Sequence, residues 1–393
     1  MRRMKKFKEL WLCFVAVFLF IGCQPQTKVF DGSTELKKEV AVSAASSTTL
    51  PVFTLNWSEY PSWSVFGVLA DLGQINPEKG GTHGAIETQN GVDIVLVQAD
   101  YDTCITNYGE GNADAVCITN TDIPNLSRRV SSVAILVTST SSGADALVVS
   151  NDIKSWDDLK NVTIRGLEKS VADYCFTRNV EVAGLKRSDF KFENQDPGAA
   201  AQAMQQGQTG YKAVQLWNPY KNQTLETAKD VYSFVDSSKI PNEILDMVVV
   251  SRSALDREGG RKFATAVCDA FYTFNKLLES PAERDEHLVS LGSKFSNLNA
   301  NQMSQCLKET VFYATPNTGS PVFREENLRE TMTKITNWCV AAEIFTSQDG
   351  RPDPDAKISI GYGDYRNSPD SNLVFDHSFM NSYDLKQADN SSR

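Results

Sequence analysis

The sequence predicts an α/β fold, because short unbroken apolar runs recur along the chain with stretches of helical period between them. The length of 393 residues exceeds one ordinary core and points to a large two-lobed body or two domains. Apolar residues make up 41% of the chain and charged residues 22%, which excludes disorder as the main state.

Strands are predicted over 51–56, 92–97, 114–118, 133–138, 145–149, 162–165, 213–217 and 244–250. Continuous apolar runs of this length suit strands covered on both faces. Helical stretches are predicted over 62–72, 171–183, 197–206 and 255–279, with Pro197 at a permitted first-turn position. From 255 to 345 the chain reads as helices only, including 324–344, so the last third is expected to pack around the sheet without extending it. Beyond Gln348, Gly, Pro, Asp, Asn and Ser dominate, and this tail (346–393) is expected to dock at 358–360 and 373–375.

The N-terminus reads as an export signal. Residues 1–8 are basic, and 10–22 form an unbroken apolar run of 13 residues, too short to span a bilayer but right for a secretory signal over 1–22. Phe20-Ile21-Gly22-Cys23 resembles the lipobox of bacterial lipoproteins, in which the cysteine is lipidated and becomes the first mature residue; Phe20 replaces the usual Leu. The other reading is an ordinary cleaved signal beside an incidental cysteine. Residues 23–50 then form the lipidated start and a flexible Ser/Thr/Lys/Glu tether. The expected location is the periplasmic face of a bacterial membrane, held there by the acyl chains on Cys23.

Without residues 1–22 the chain has 34 Lys and Arg against 48 Asp and Glu, a net charge of −14. An acidic body is soluble and poorly suited to anionic lipid heads or nucleic acid, so neither is an expected partner beyond the anchor. Six cysteines remain in the mature body: Cys104, Cys117, Cys175, Cys268, Cys306 and Cys339. An even number permits up to three disulfides in an oxidising compartment, whereas their apolar neighbours suit buried free thiols equally well.

Signatures of metal binding and catalysis are absent from the sequence. His83, His287 and His377 are far apart in sequence, and there is no CxxC, HExxH, GxSxG or GxxxxGK[ST] motif. Gly109-Glu110-Gly111-Asn112-Ala113-Asp114 precedes a strand and lacks the third glycine of a dinucleotide fingerprint. No metal, cofactor or catalytic residue is expected, and the chain is read as a non-enzyme.

Polar and aromatic clusters remain at the carboxyl ends of the predicted strands, where open α/β sheets bind ligands. The candidate ligand residues are Trp57, Ser58 and Tyr60 after the first strand, Asn120 and Asp122 after 114–118, and Ser141, Ser142 and Asp145 between two strands. Ser170 and Asp173 at a helix start, and Trp217 and Asn218 after 213–217, complete the set. Aromatic rings suit a stacking wall and the hydroxyl, amide and carboxylate groups suit hydrogen bonds to a small polar molecule. Trp63 reads equally well as core or cleft.

With these features in order, the chain over roughly 50–345 resembles the substrate-binding proteins of bacterial ABC importers, in the branch of nitrate, alkanesulfonate, taurine and thiamine-precursor binders. The resemblance rests on Ser155-Trp156-Asp157-Asp158-Leu159-Lys160-Asn161, on Gly198-Ala199-Ala200-Ala201 through Gln206-Gly207, and on Trp217-Asn218-Pro219. Gly210-Tyr211-Lys212-Ala213 lacks the aspartate that the family usually has there.

The resemblance implies a two-lobed periplasmic-binding-protein fold: lobe one at 50–145 plus 247–345, and hinge strands with lobe two at 146–246. The hinges are expected near 146–149 and 243–247. It also implies a monomer that takes an amide, amine, sulfonate or pyrimidine between closing lobes and delivers it to an ABC permease and ATPase. Asp122 and Asp145 favour a ligand with N–H donors. An enzyme on the same scaffold, or a sensor uncoupled from transport, are the alternative functions.

Overall fold

The computed structural model describes residues 49–324, 326–347 and 351–383. Cys23, the export signal and the tether up to Thr48 lie outside them. The chain builds a first sheet from β1 (Val52–Trp57), β2 (Asp93–Gln98), β3 (Ala115–Thr119) and β4 (Ser132–Ser141). It then builds a second from β5 (Asp145–Ser150), β6 (Thr163–Gly166), β7 (Lys191–Asn194), β8 (Ala213–Trp217) and β9 (Val231–Asp236). It returns to the first with β10 (Leu245–Ser251), β11 (Thr310–Phe312), β12 (Ile360–Tyr362) and β13 (Leu373–Phe375).

The two sheets share one plan. The first runs β2-β1-β3-β10-β4 and the second β7-β6-β8-β5-β9, so three parallel strands are followed by an antiparallel strand that has crossed from the other sheet. The chain passes between sheets only at residues 142–144 and 237–244 among the described residues. Residues 146–149, expected near a hinge, sit inside β5, paired on both sides.

Burial explains the strand sequences. Every residue of β3, β4 and β10 is buried, and their runs are accordingly continuous in apolar or small residues. In the second sheet successive side chains serve opposite faces. Leu147 and Val149 join Ile164, Phe176 and Phe192 in one core, while Val148 joins Ala200, Met204, Val214 and Leu216 in another.

The C-terminal third corrects the sequence reading. Residues 255–345 are expected to be helical and to leave the sheet unextended, yet β11 pairs with the C-terminal half of β4; the tail, expected to dock at 358–360 and 373–375, meets the sheet at 360–362 and 373–375, where β13 and then β12 continue it beyond the N-terminal half of β4. The tail therefore contributes strands. Each of these strands is three residues long, too short for a period-two pattern to show in the sequence.

Cys104, Cys117, Cys175, Cys306 and Cys339 are buried free thiols, and the buried Cys268 sulfur lies 3.5 Å from the Ile135 carbonyl. Of the two open cysteine readings the structure takes the unbridged one. Among the described residues no helix is long and apolar enough to cross a membrane.

Candidate functional site

A cavity of about 450 Å³ opens where the carboxyl ends of the parallel strands of both sheets meet. From the first sheet it receives Ser58, Glu59, Tyr60 and Trp63 after β1, Gln98 at the end of β2 and residues 99–102 after it, and Thr119 at the end of β3. From the second come Leu167 and Val171 after β6, Asp196 and Pro197 after β7, and Trp217 and Tyr220 at the end of β8. Asp145 and Asp246, near the starts of the two crossing strands β5 and β10, also line it.

An unbroken run of rings makes one wall. Tyr60 and Trp63 have centroids 4.9 Å apart, Trp63 stacks on Tyr101 at 5.7 Å and 16°, and Tyr101 meets Trp217 edge-on at 6.3 Å. The last contact joins the first sheet to the second. Tyr101 is fixed by its hydroxyl, which accepts from the Thr119 N–H at 3.1 Å and donates to Asp122 Oδ2 at 2.7 Å.

The polar floor is acidic. Asp145 is 2% exposed and Asp246 1% exposed, and among the described residues neither has a cationic side chain within ion-pair distance. Burial pushes the Asp145 carboxyl up to about 7, against the pull of the Ser141 hydroxyl and of Lys221. Burial raises Asp246 well above its ordinary value too, opposed by Ser139 Oγ donating at 2.5 Å and reinforced by the charge of Asp145. Tyr60 is raised by burial and by both aspartates. At the rim, burial raises Glu59 and Asp102, while hydrogen bonds from Thr103 lower Asp100.

Of the sequence-predicted ligand residues, Ser58, Tyr60, Asp145 and Trp217 line the cavity, and the others do not. Trp57 belongs to the core: it continues the buried Phe53–Leu55 face of β1, and a Cβ at Gly67 would fall 2.7 Å from its ring. Trp63 is buried and also lines the cavity. Asp122 stands one layer behind, holding Tyr101, Thr119 and Thr121; burial raises its carboxyl to about 6.

Asn120 and Ser141 tie the crossings together. Asn120 donates to the Glu243 carbonyl and accepts from the Leu245 N–H, while Ser141 Oγ shares a 2.7 Å hydrogen bond with Ser237 Oγ. Gly143, at φ +105° within the first crossing, donates its N–H to the same Ser237 oxygen, a backbone conformation that favours glycine. Ser142 is exposed, with its N–H on the Glu309 carbonyl. Ser170 caps the helix Val171–Val182, Asp173 pairs with Arg187 at 3.1 Å, and Asn218 donates to Glu309 Oε2 at 2.9 Å.

Sequence reasoning missed Tyr101, Asp100 and Asp102, although residues 98–102 follow a predicted strand and the same strand-end rule would have found them. Asp196 was hidden behind β7, whose sequence KFEN is too polar to read as a strand. Asp246 sits within an apolar run and gave no signal.

Among the described residues, one group could approach a metal: His83, Glu87 and Asp93, with ligand atoms within 4.8 Å of one another. Both Glu87 oxygens are already committed to backbone N–H groups of Asn76, Gly84 and Ile94, which makes it a loop-fixing carboxylate.

No family model matches the sequence and no curated protein matches it. Solved structures do match. The periplasmic aliphatic sulphonate binding protein SsuA from Escherichia coli aligns with a TM-score of 0.59 at 17% identity, covering 78% of this chain and 94% of that one. The alkanesulfonate-binding protein SsuA from Xanthomonas axonopodis pv. citri, bound to MOPS, gives 0.58 at 13%, covering 75% and 94%. The fold is that of the periplasmic binding proteins. A Candida albicans gene product described as having the generic periplasmic binding protein fold also aligns, with a TM-score of 0.53 at 12% identity, covering 76% of this chain and 93% of that one. The sequence-predicted two-lobed α/β architecture is thus the observed one.

Proposed function

We propose that this protein is the solute-binding component of an ABC importer, exported, anchored through a lipidated Cys23, and acting as a monomer. It takes a small polar organic molecule between its two sheet-bearing lobes and presents the closed form to a membrane permease and its ATPase. The observation that carries this reading is the cavity itself, whose lining comes from both sheets and from both crossing strands. A solute touching both lobes binds the closed arrangement more tightly and draws the population toward it. Opening would turn on the crossings at 142–144 and 237–244 and separate Tyr101 from Trp217. The solved neighbours whose names mention sulfonates support import-type binding, and they leave the solute of this chain open.

The test is a thermal-shift screen of amides, amines, sulfonates and pyrimidines, with tryptophan fluorescence as second readout. A solute that raises the melting temperature in a concentration-dependent way supports the reading, and a screen without any such solute counts against it.

A second reading, an enzyme on the same scaffold, draws on the buried Asp145 and Asp246 in one cavity with raised carboxyl groups. It requires turnover of a bound solute, lost in Asp145→Asn.

A further inference from the structure

We propose that the cavity selects an organic cation, a protonated amine or a quaternary ammonium, over neutral and anionic molecules of the same size. The inference rests on the solute-capture reading above and names its substrate class.

Three features point the same way. The first is charge. Six acidic side chains line the cavity, Glu59, Asp100, Asp102, Asp145, Asp196 and Asp246, and among the described residues no Lys, Arg or His does. Lys221, whose charge acts on Asp145, does not line the cavity, and its Nζ donates to the Gly143 carbonyl at 2.9 Å and to Glu309 Oε1 at 2.7 Å.

The second is the buried carboxylate of Asp145. It lines the cavity at 2% exposure without a cationic partner among the described residues, and the Ser141 hydroxyl beside it also bonds Ser237 Oγ and accepts from the Asp145 N–H. A carboxylate buried without a cation is costly, so the arrangement leaves room for a charge supplied from outside. The ring wall formed by Tyr60, Trp63, Tyr101 and Trp217 offers the faces against which such a cation gains further attraction.

The third is that two of the helix N-termini at the cavity already carry a carboxylate cap. Helix N-termini at strand ends hold anions through free N–H groups. Here the helix Tyr101–Gly109 is capped by Asp100, which accepts from Thr103 N–H at 2.9 Å, and the helix Pro197–Gln205 by Asp196, which accepts from Ala199 N–H at 2.8 Å. Both caps place a negative charge on the cavity where an anion would have to bind.

The test titrates the purified protein calorimetrically with choline, with its uncharged carbon isostere 3,3-dimethylbutan-1-ol, with 1,4-diaminobutane and with methanesulfonate. The expected result is binding of at least one cation, with the neutral isostere weaker by about tenfold or more, and loss of that preference in Asp145→Asn. If the neutral or sulfonate probe binds as well as or better than the cations, cation selection is overturned while solute capture stands. If no probe binds, the cation inference falls, and a simultaneous failure of the broader thermal-shift screen takes the capture reading with it.

Discussion

Lys221 Nζ lies 2.7 Å from Glu309 Oε1 and joins the two halves of the fold beside a crossing. The lysine is on the helix Tyr220–Thr227 after β8, and the glutamate ends the helix Ala300–Glu309 that leads into β11. Asn218 and Asn222 donate to the other Glu309 oxygen at 2.9 and 3.1 Å. Glu243, within the second crossing, is the counterpart: it accepts from Arg178 Nε at 2.7 Å, Lys334 Nζ at 3.0 Å and the Tyr174 hydroxyl at 2.9 Å.

Removing one member of the Lys221–Glu309 pair leaves the charge of the other uncompensated. Glu309→Met and Lys221→Met are each expected to cost about 3 kcal/mol, whereas replacing both residues with Met is expected to cost far less, because no charge is then left uncompensated. Urea denaturation of the two single variants and the double variant checks this, and purely additive costs would contradict it.

Glu243 gives the acid limb its shape. Its partners hold the carboxyl down to about 2, below its ordinary 4.5, so its contribution is complete above pH 4.5 and is lost as the pH falls toward 2. Comparing the native protein with Glu243→Gln, the stability difference should shrink over that window and be constant above it. Melting curves at unit pH intervals from 2 to 7 read it directly.

Asp145 works in the opposite direction. Its folded carboxyl is raised to about 7 from an ordinary 3.8, so the empty protein loses stability as pH rises between those values and recovers none above them. Asp145→Asn should melt with the native protein at pH 3.5 and above it at pH 8, by about 1.4 kcal/mol for each pKa unit displaced. Cation affinity should rise up to tenfold per pH unit below 7 and level off above, since the cation binds the ionised form. The groups facing Asp145 are Ser141, Lys221, Asp122, Asp246, Tyr60 and Cys175, and burial raises the Asp246 carboxyl as well. Calorimetry in buffers of different ionisation enthalpy would detect the released proton.

The tryptophans separate core from cavity. Trp57→Ala should destabilise the fold by about 3–5 kcal/mol and leave solute affinity unchanged in the molecules that remain folded. Trp63→Phe and Trp217→Phe should retain the fold and lose most of the solute-induced fluorescence change. Equal fluorescence responses in all three variants would contradict the assignment of the wall.

These contrasts mark where the sequence was legible. β3, β4, β8 and β10 are buried on both faces, so their runs stood out, whereas β9 is only partly buried along its length and β7 is mostly polar. The strand-end rule located Ser58, Tyr60, Asp145 and Trp217. It failed at Trp57 because that residue still belongs to the strand and follows its inward face. It failed at Asn120, Ser141 and Asn218 because their partners, Glu243, Leu245, Ser237 and Glu309, are far along the chain. A polar side chain after a strand can serve a ligand or a distant backbone, and only the fold distinguishes the two.

The most direct test of lobe closure is small-angle X-ray scattering with and without a saturating concentration of the tightest-binding solute, occupancy being verified by fluorescence. A smaller radius of gyration in the loaded protein is expected. An identical scattering curve at full occupancy would contradict closure over the solute.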